Sequence, residues 1–176
     1  MPESLNRPVR YCSKSLGLCF QFDPAVIEHF GKHRQAHFWN FEAGGQLFAT
    51  KSAAVWQIKQ ASGPRVSDLR SRFGFIVNRR AEQAEINVQF NSNLHYVGDW
   101  HTHPERRPSP SETDIVSMKE LATESRYELP GFLMIIVGND PNSSELWVSF
   151  HRRNGGYERL SMSNDDVKNT GPISPK

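Results

Sequence analysis

Residues 98–114 read GDWHTHPERRPSPSETD, a run that leaves one kind of element and enters another. Upstream, residues 94–103 pattern as a strand, and Pro104 stops it because proline has no ladder N–H to give. Side chains at i and i+2 share a strand face, so His101 and His103 project together while Trp100 and Thr102 point the other way. Downstream, residues 110–125 carry Ile115, Met118, Leu121 and Ala122 on one helical stripe. Strand, proline-rich loop and amphipathic helix in succession predict an α/β domain.

Working outward, residues 17–22 pattern as a strand, followed by a helix over 24–34. Asp23 is its expected cap, Pro24 suits the first helical position, and Val26, Ile27 and Phe30 form its apolar face. Glu42 then precedes a Gly44-Gly45 pair, whose bare backbone is read as room for a substrate. A strand over 54–60 ends at Ser62-Gly63-Pro64, and residues 73–77 pattern as another short strand. Residues 79–91 are read as a helix, although their later part alternates like a strand. Two strands follow, GFLMIIVGN and SELWVSFHRR, and Asn154-Gly155-Gly156 turns the chain into a last one, YERLSMS. The expected organisation is an N-terminal extension (1–14), one domain (15–163) and a flexible C-terminal tail (164–176).

With 176 residues the chain suits a single domain, and its eleven Phe and four Trp argue against general disorder. No apolar run approaches the roughly 20 residues that cross a bilayer, and the N-terminus lacks a secretory pattern. A cytoplasmic protein with no membrane partner is the expectation. Cys12 and Cys19 do not form a CxxC pair and are read as free thiols of a reducing compartment. A net charge of +2 and a pI of about 8.6 are too mild to imply nucleic acid. Arginines 65, 70, 72, 79, 80, 106 and 107 are read as a solvated surface.

The chemistry lies in residues 101–114 and in Glu42. Two imidazoles on one strand face can share an ion, and an aspartate would complete the three protein ligands that leave zinc a fourth position for water. Bound zinc can lower that water's pKa to roughly 7, and a nearby carboxylate such as Glu42 could take its proton. The helix start admits two capping boxes. Ser109 and Glu112 could close it, with Pro110 at the first position, leaving Ser111 and Asp114 together on one face. Ser111 and Asp114 form an equally legal S-x-x-D box of their own. Elsewhere, His29 and His33 share a helix face and are read as surface residues, His151 as unpartnered, and Trp100 as core.

The motif His101-Thr102-His103-Pro104, with Ser111, Asp114 and the upstream Glu42-Ala43-Gly44-Gly45-Gln46-Leu47, resembles that of the JAMM (MPN+/JAB) metallopeptidases. The resemblance covers roughly residues 15–160, and the order of elements agrees with it. It implies a single MPN/JAB, cytidine-deaminase-like domain: a mixed β-sheet flanked by helices. It also implies that His101, His103 and Asp114 bind Zn2+, that Glu42 is the general base, and that Ser111 stabilises the oxyanion. One departure is Ala49, where the family often has glycine. The local style of EAGGQLF, YVGDWHTHP and PSPSETD is similar to bacterial stand-alone JAB proteins encoded beside E1/E2-like enzymes in anti-phage (CBASS) operons. That likeness implies a deconjugating isopeptidase whose partner is a protein conjugate with a ubiquitin-like or cGAS-like nucleotidyltransferase C-terminus. Two rivals stand beside it: a non-catalytic MPN scaffold that binds a ubiquitin-like partner, and a metal-dependent phosphoesterase.

Overall fold

The apolar runs of the sequence become the central strands of one curled sheet in the computed structural model, which describes residues 9–127, 129–141 and 146–163. In chain order the elements are β1 (Val9–Ser13), β2 (Leu18–Phe22), α1 (Pro24–His33), β3 (Gly44–Lys51), β4 (Val55–Ala61), β5 (Leu69–Ser71) and β6 (Gly74–Ile76). They continue with α2 (Arg79–Asn91), β7 (His95–Thr102), α3 (Glu112–Glu124), β8 (Gly131–Val137), β9 (Leu146–Arg152), β10 (Tyr157–Arg159) and β11 (Ser161–Met162). Nine strands pair in the order β10-β9-β8-β7-β3-β4-β2-β1-β11, and β5 and β6 form a separate hairpin. β7–β8 and β2–β4 run parallel and the other pairs antiparallel, so the sheet is mixed.

The sheet curls until its ends meet. The expected last strand divides at Leu160: β10 pairs with β9 and β11 with β1, so one short segment joins both edges. Phe20 of β2 stacks on Phe150 of β9, with ring centroids 5.5 Å apart, which fills the space enclosed by the curl. The same closure draws β1, Val9–Ser13, into the sheet, so that part of the expected extension belongs to the domain; residues 1–8 lie outside the described residues. The expected tail, 164–176, lies outside the described residues.

Local alternation puts the helices on opposite sides of β7. Trp100 packs against Phe30 of α1, centroids 5.1 Å apart. His101 and Asp99 face the other way, towards α3 and α2. β8 is buried throughout, because it is covered on both faces. No helix among the described residues is long and apolar enough to cross a membrane.

Three local expectations are corrected. Cys12 and Cys19 are bonded rather than free: they sit directly opposite each other in the β1–β2 ladder, with Cα atoms 4.1 Å apart. Asp23 precedes α1 but makes no side-chain cap, because its carboxylate accepts a hydrogen bond from Lys59 Nζ at 3.2 Å. The β5–β6 hairpin includes a strand, Leu69–Ser71, that its polar, exposed sequence did not announce.

Candidate metal centre

The C-terminal end of β7 carries His101, with His103 just beyond it, and the residue between them fixes what lies opposite. Thr102 is buried, and its Oγ1 accepts from Ala43 N at 2.9 Å and donates to Gln35 Oε1 at 3.2 Å. Its N–H donates to Ala43 O at 2.8 Å, while the N–H of His103 donates to Val137 O at 2.9 Å. Ala43 is the neighbour of Glu42, so this clasp sets Glu42 beside the histidines. The Glu42 backbone is held twice more, its N–H donating to Ser71 O at 2.8 Å and its carbonyl accepting from Arg70 Nε at 2.7 Å. Sequence reasoning missed Thr102, Gln35 and Arg70 as positioning residues, since their partners lie far away in the chain.

Three glycines permit this arrangement. Gly98 has φ +147°, and a Cβ there would lie 2.0 Å from Leu133 O. It sits where the β3–β7 register slips, with Leu47 opposite Gly98 but Phe48 opposite Tyr96. At Gly45 a Cβ would lie 1.9 Å from Ser62 O. At Gly44 it would meet the Phe75 ring at 2.9 Å. The side on which a Cβ would project is therefore filled by the chain's own backbone and Phe75, while Gly45 also lines a cavity shared with Glu42, His101 and Asp114.

Of the two capping boxes, the structure adopts Ser111 with Asp114. Ser111 Oγ accepts from Asp114 N at 3.2 Å, and Asp114 Oδ2 accepts from Ser111 N at 2.7 Å. Ser109 stays in the loop, where its N–H donates to Glu105 at 3.4 Å. The cap does not withdraw Asp114 from the histidines. Its Oδ1 lies 3.3 Å from His101 Nε2 and its Oδ2 3.5 Å from His103 Nε2. Ser111 Oγ also donates to Asp114 Oδ2 at 2.7 Å.

Five sequence-designated residues are thus drawn into one place. The ligand atoms of Glu42, His101 and His103 lie within 4.8 Å of one another, and Asp114 touches both imidazoles. His101 Nε2 is buried without a hydrogen-bond partner, which ordinarily costs about 1–3 kcal/mol. A nitrogen left so, facing carboxylates and a second imidazole, fits a divalent cation accepting nitrogen and oxygen donors. Burial would raise Asp114, but the adjacent His101 and His103 imidazoles and the Ser111 hydroxyl hold it far below the usual carboxylate range. Burial dominates at Glu42, whose pKa is raised despite the two histidines. Burial would lower His103, yet Asp114, Glu42 and Glu105 together raise it.

A buried polar network adjoins this centre. Gln46 Nε2 donates to Glu82 Oε1 at 2.8 Å, Arg79 Nη1 pairs with Glu82 Oε2 at 2.9 Å, and Tyr96 donates to Asp99 Oδ1 at 2.8 Å. Two of the remaining histidines, His29 and His151, have structural work. His29, half-buried rather than on the surface, contacts Gly63 O at 2.8 Å through Nε2 and packs beside Trp100. His151 is not unpartnered: its Nε2 lies 3.0 Å from Ser149 Oγ. Trp100 is core as expected, and its Nε1 donates to Ser62 O at 2.8 Å.

A family model described as prokaryotic homologs of the JAB domain matches residues 23–150. A CD-NTase/cGAS isopeptidase of Escherichia coli is 33% identical over 128 residues, covering 70% of this chain and 76% of that protein. A CD-NTase/cGAS isopeptidase of Vibrio cholerae is 32% identical over 133 residues, covering 73% and 79%. The solution structure of a protein from Desulfitobacterium hafniense superposes with a TM-score of 0.57 at 19% identity, covering 78% of this chain and 87% of that one, a likeness of fold alone.

Proposed function

The chain belongs to the family of prokaryotic homologues of the JAB domain and has its α/β fold, and from that premise we propose that it is a zinc-dependent isopeptidase. The observation that carries the reading is the buried, unpartnered His101 Nε2 facing Asp114, with His103 and Glu42 in the same cluster. His101, His103 and Asp114 would hold the metal. Zinc bound there would supply a Lewis acid and a water acidified to roughly pKa 7.

The division of labour between the two carboxylates follows from their surroundings. Asp114, held far below the usual range by its imidazole and hydroxyl neighbours, keeps its charge and suits a ligand. Glu42, raised by burial, exchanges a proton more readily near neutrality and suits a general base. It takes the proton of the attacking water as the water oxygen bonds to the scissile carbonyl carbon. The same carboxyl then gives that proton to the amine nitrogen as the C–N bond breaks. The Ser111 hydroxyl, which donates to Asp114 Oδ2 at 2.7 Å in the resting site, would turn that proton to the developing oxyanion, a role worth roughly 2.7–4 kcal/mol where measured.

Relatives named CD-NTase/cGAS isopeptidase support the substrate class proposed here: a protein joined through the C-terminus of a cGAS-like nucleotidyltransferase. An E1/E2-like enzyme would form the conjugate that this protein undoes, in the cytoplasm. The decisive variant is Glu42→Gln. Its zinc content, measured by mass spectrometry, stays at one equivalent while conjugate cleavage falls at least a thousandfold. Unchanged cleavage removes Glu42 from the mechanism, and cleavage by chelator-treated wild type removes the metal.

A further inference from the structure

Beside the metal centre lies a cavity of about 400 Å³, lined at once by Glu42, His101 and Asp114 and by Asp99 and Arg79. We propose that this cavity is a side-chain pocket in which Asp99 receives a basic residue, lysine or arginine, adjoining the scissile bond. The inference rests on the hydrolase reading above and names a specificity determinant within it.

Placement is the first argument. Asp99 and His101 stand at i and i+2 on β7 and share a face, so their Cα atoms are about 7 Å apart along the strand. A substrate residue at the metal centre can thus reach Asp99 with a long side chain. Gln46 lies opposite Asp99 in the β3–β7 register, and Met134 lies opposite it in β8, which fixes the carboxylate in the pocket floor.

Charge is the second. The guanidinium that lines the cavity, Arg79, is already paired with Glu82 at 2.9 Å. Asp99 receives only a neutral hydroxyl from Tyr96, at 2.8 Å. Arg65, the second guanidinium acting on Asp99, is itself paired with Glu85, so the carboxylates of Asp99, Glu82 and Glu85 outnumber the two guanidiniums here. Burial and Glu82 raise Asp99 to about 7, and a cation from the substrate would favour its charged form. The lining supplies the rest: Phe75, Met118 and Met134 give an apolar sleeve for a methylene stem that ends in a charged head.

Internally quenched peptides test this, with lysine, norleucine or glutamate placed on either side of the scissile bond. For wild type, kcat/KM for lysine exceeds that for norleucine by about tenfold or more on one side, the scale of a hydrogen bond between charged groups. Asp99→Asn, which keeps the shape and can still accept from Tyr96, brings that ratio close to 1. Equal values for lysine and norleucine on both sides overturn the proposal, as does a preference for glutamate, which would assign the pocket to Arg79. The wild-type comparison stands even if the variant fails to fold. Calorimetry of the same peptides with chelator-treated wild type separates the two readings. Tighter binding of the lysine peptide with no peptide cleaved by the zinc-loaded protein keeps the pocket and defeats the hydrolase. Cleavage without lysine preference does the reverse.

Discussion

Two pairs of polar residues, each spaced i and i+2 on a strand of the same sheet, have opposite fates. Ser149 and His151 on β9 satisfy each other across 3.0 Å, Trp147 Nε1 adds a hydrogen bond to Ser149 at 3.2 Å, and the imidazole stacks on Tyr157. Burial lowers His151 to a pKa of about 4, so it is a neutral core residue. His101 and His103 at the end of β7 face Asp114 and Glu42, and His101 Nε2, 3.3 Å from Asp114 Oδ1, makes no hydrogen bond among the described residues. There the carboxylates overcome burial and raise His103. Burial is common to both pairs. What separates a candidate ligand from a packed histidine is an open nitrogen among carboxylates.

Acid offers the largest test of this contrast. His151 has a folded pKa of about 4 against an ordinary 6.5, so the unfolded chain binds its proton first as pH falls. Its contribution is intact above pH 6.5 and is lost progressively down to about pH 4, amounting to about 3 kcal/mol. His103, shifted the other way, contributes most below pH 6.5 and loses that contribution as pH rises through its folded pKa. Chemical denaturation of wild type and His151→Gln at pH 7 and pH 4 isolates the first effect. Wild type should lose about 3 kcal/mol more than the variant over that interval. Equal losses would mean that His151 is not held neutral.

The two serines sharpen the comparison at smaller magnitude. Ser149→Ala strands a buried imidazole nitrogen and should cost about 2 kcal/mol of stability while conjugate cleavage persists. Ser111→Ala removes a helix cap, costing about 1 kcal/mol, yet cleavage should fall by about a hundredfold or more. Denaturation midpoints and turnover measured on both variants check the crossing. Equal turnover in the two would deny Ser111 its part in the reaction.

Much of this was legible because local rules govern it. Alternation in residues 95–102 put His101 and His103 on one face, and the S-x-x-D spacing marked Ser111 and Asp114 as a possible cap. Asp114 turned out to do both jobs: its Oδ2 accepts from the cap and lies 3.5 Å from His103 Nε2, while its Oδ1 faces His101. Most of what stayed hidden depends on long-range pairing. The Thr102–Ala43 clasp and the Ser62 backbone under Gly45 join segments distant in the chain. The Cys12–Cys19 bond is local, seven residues apart across the β1–β2 pair, and was missed because β1 itself was not expected. The closure through β10 and β11 was invisible for a similar reason: a break at Leu160 is a consequence of meeting two edges, not of local pattern.

The account depends on a metal held between β7 and the start of α3. Crystals of the wild-type protein grown with zinc, with data collected on both sides of the zinc absorption edge, address this most directly. The account predicts one anomalous peak enclosed by His101, His103 and Asp114, absent from an Asp114→Ala crystal of the same form. A wild-type map without a peak there, or with zinc only at other histidines, would contradict it.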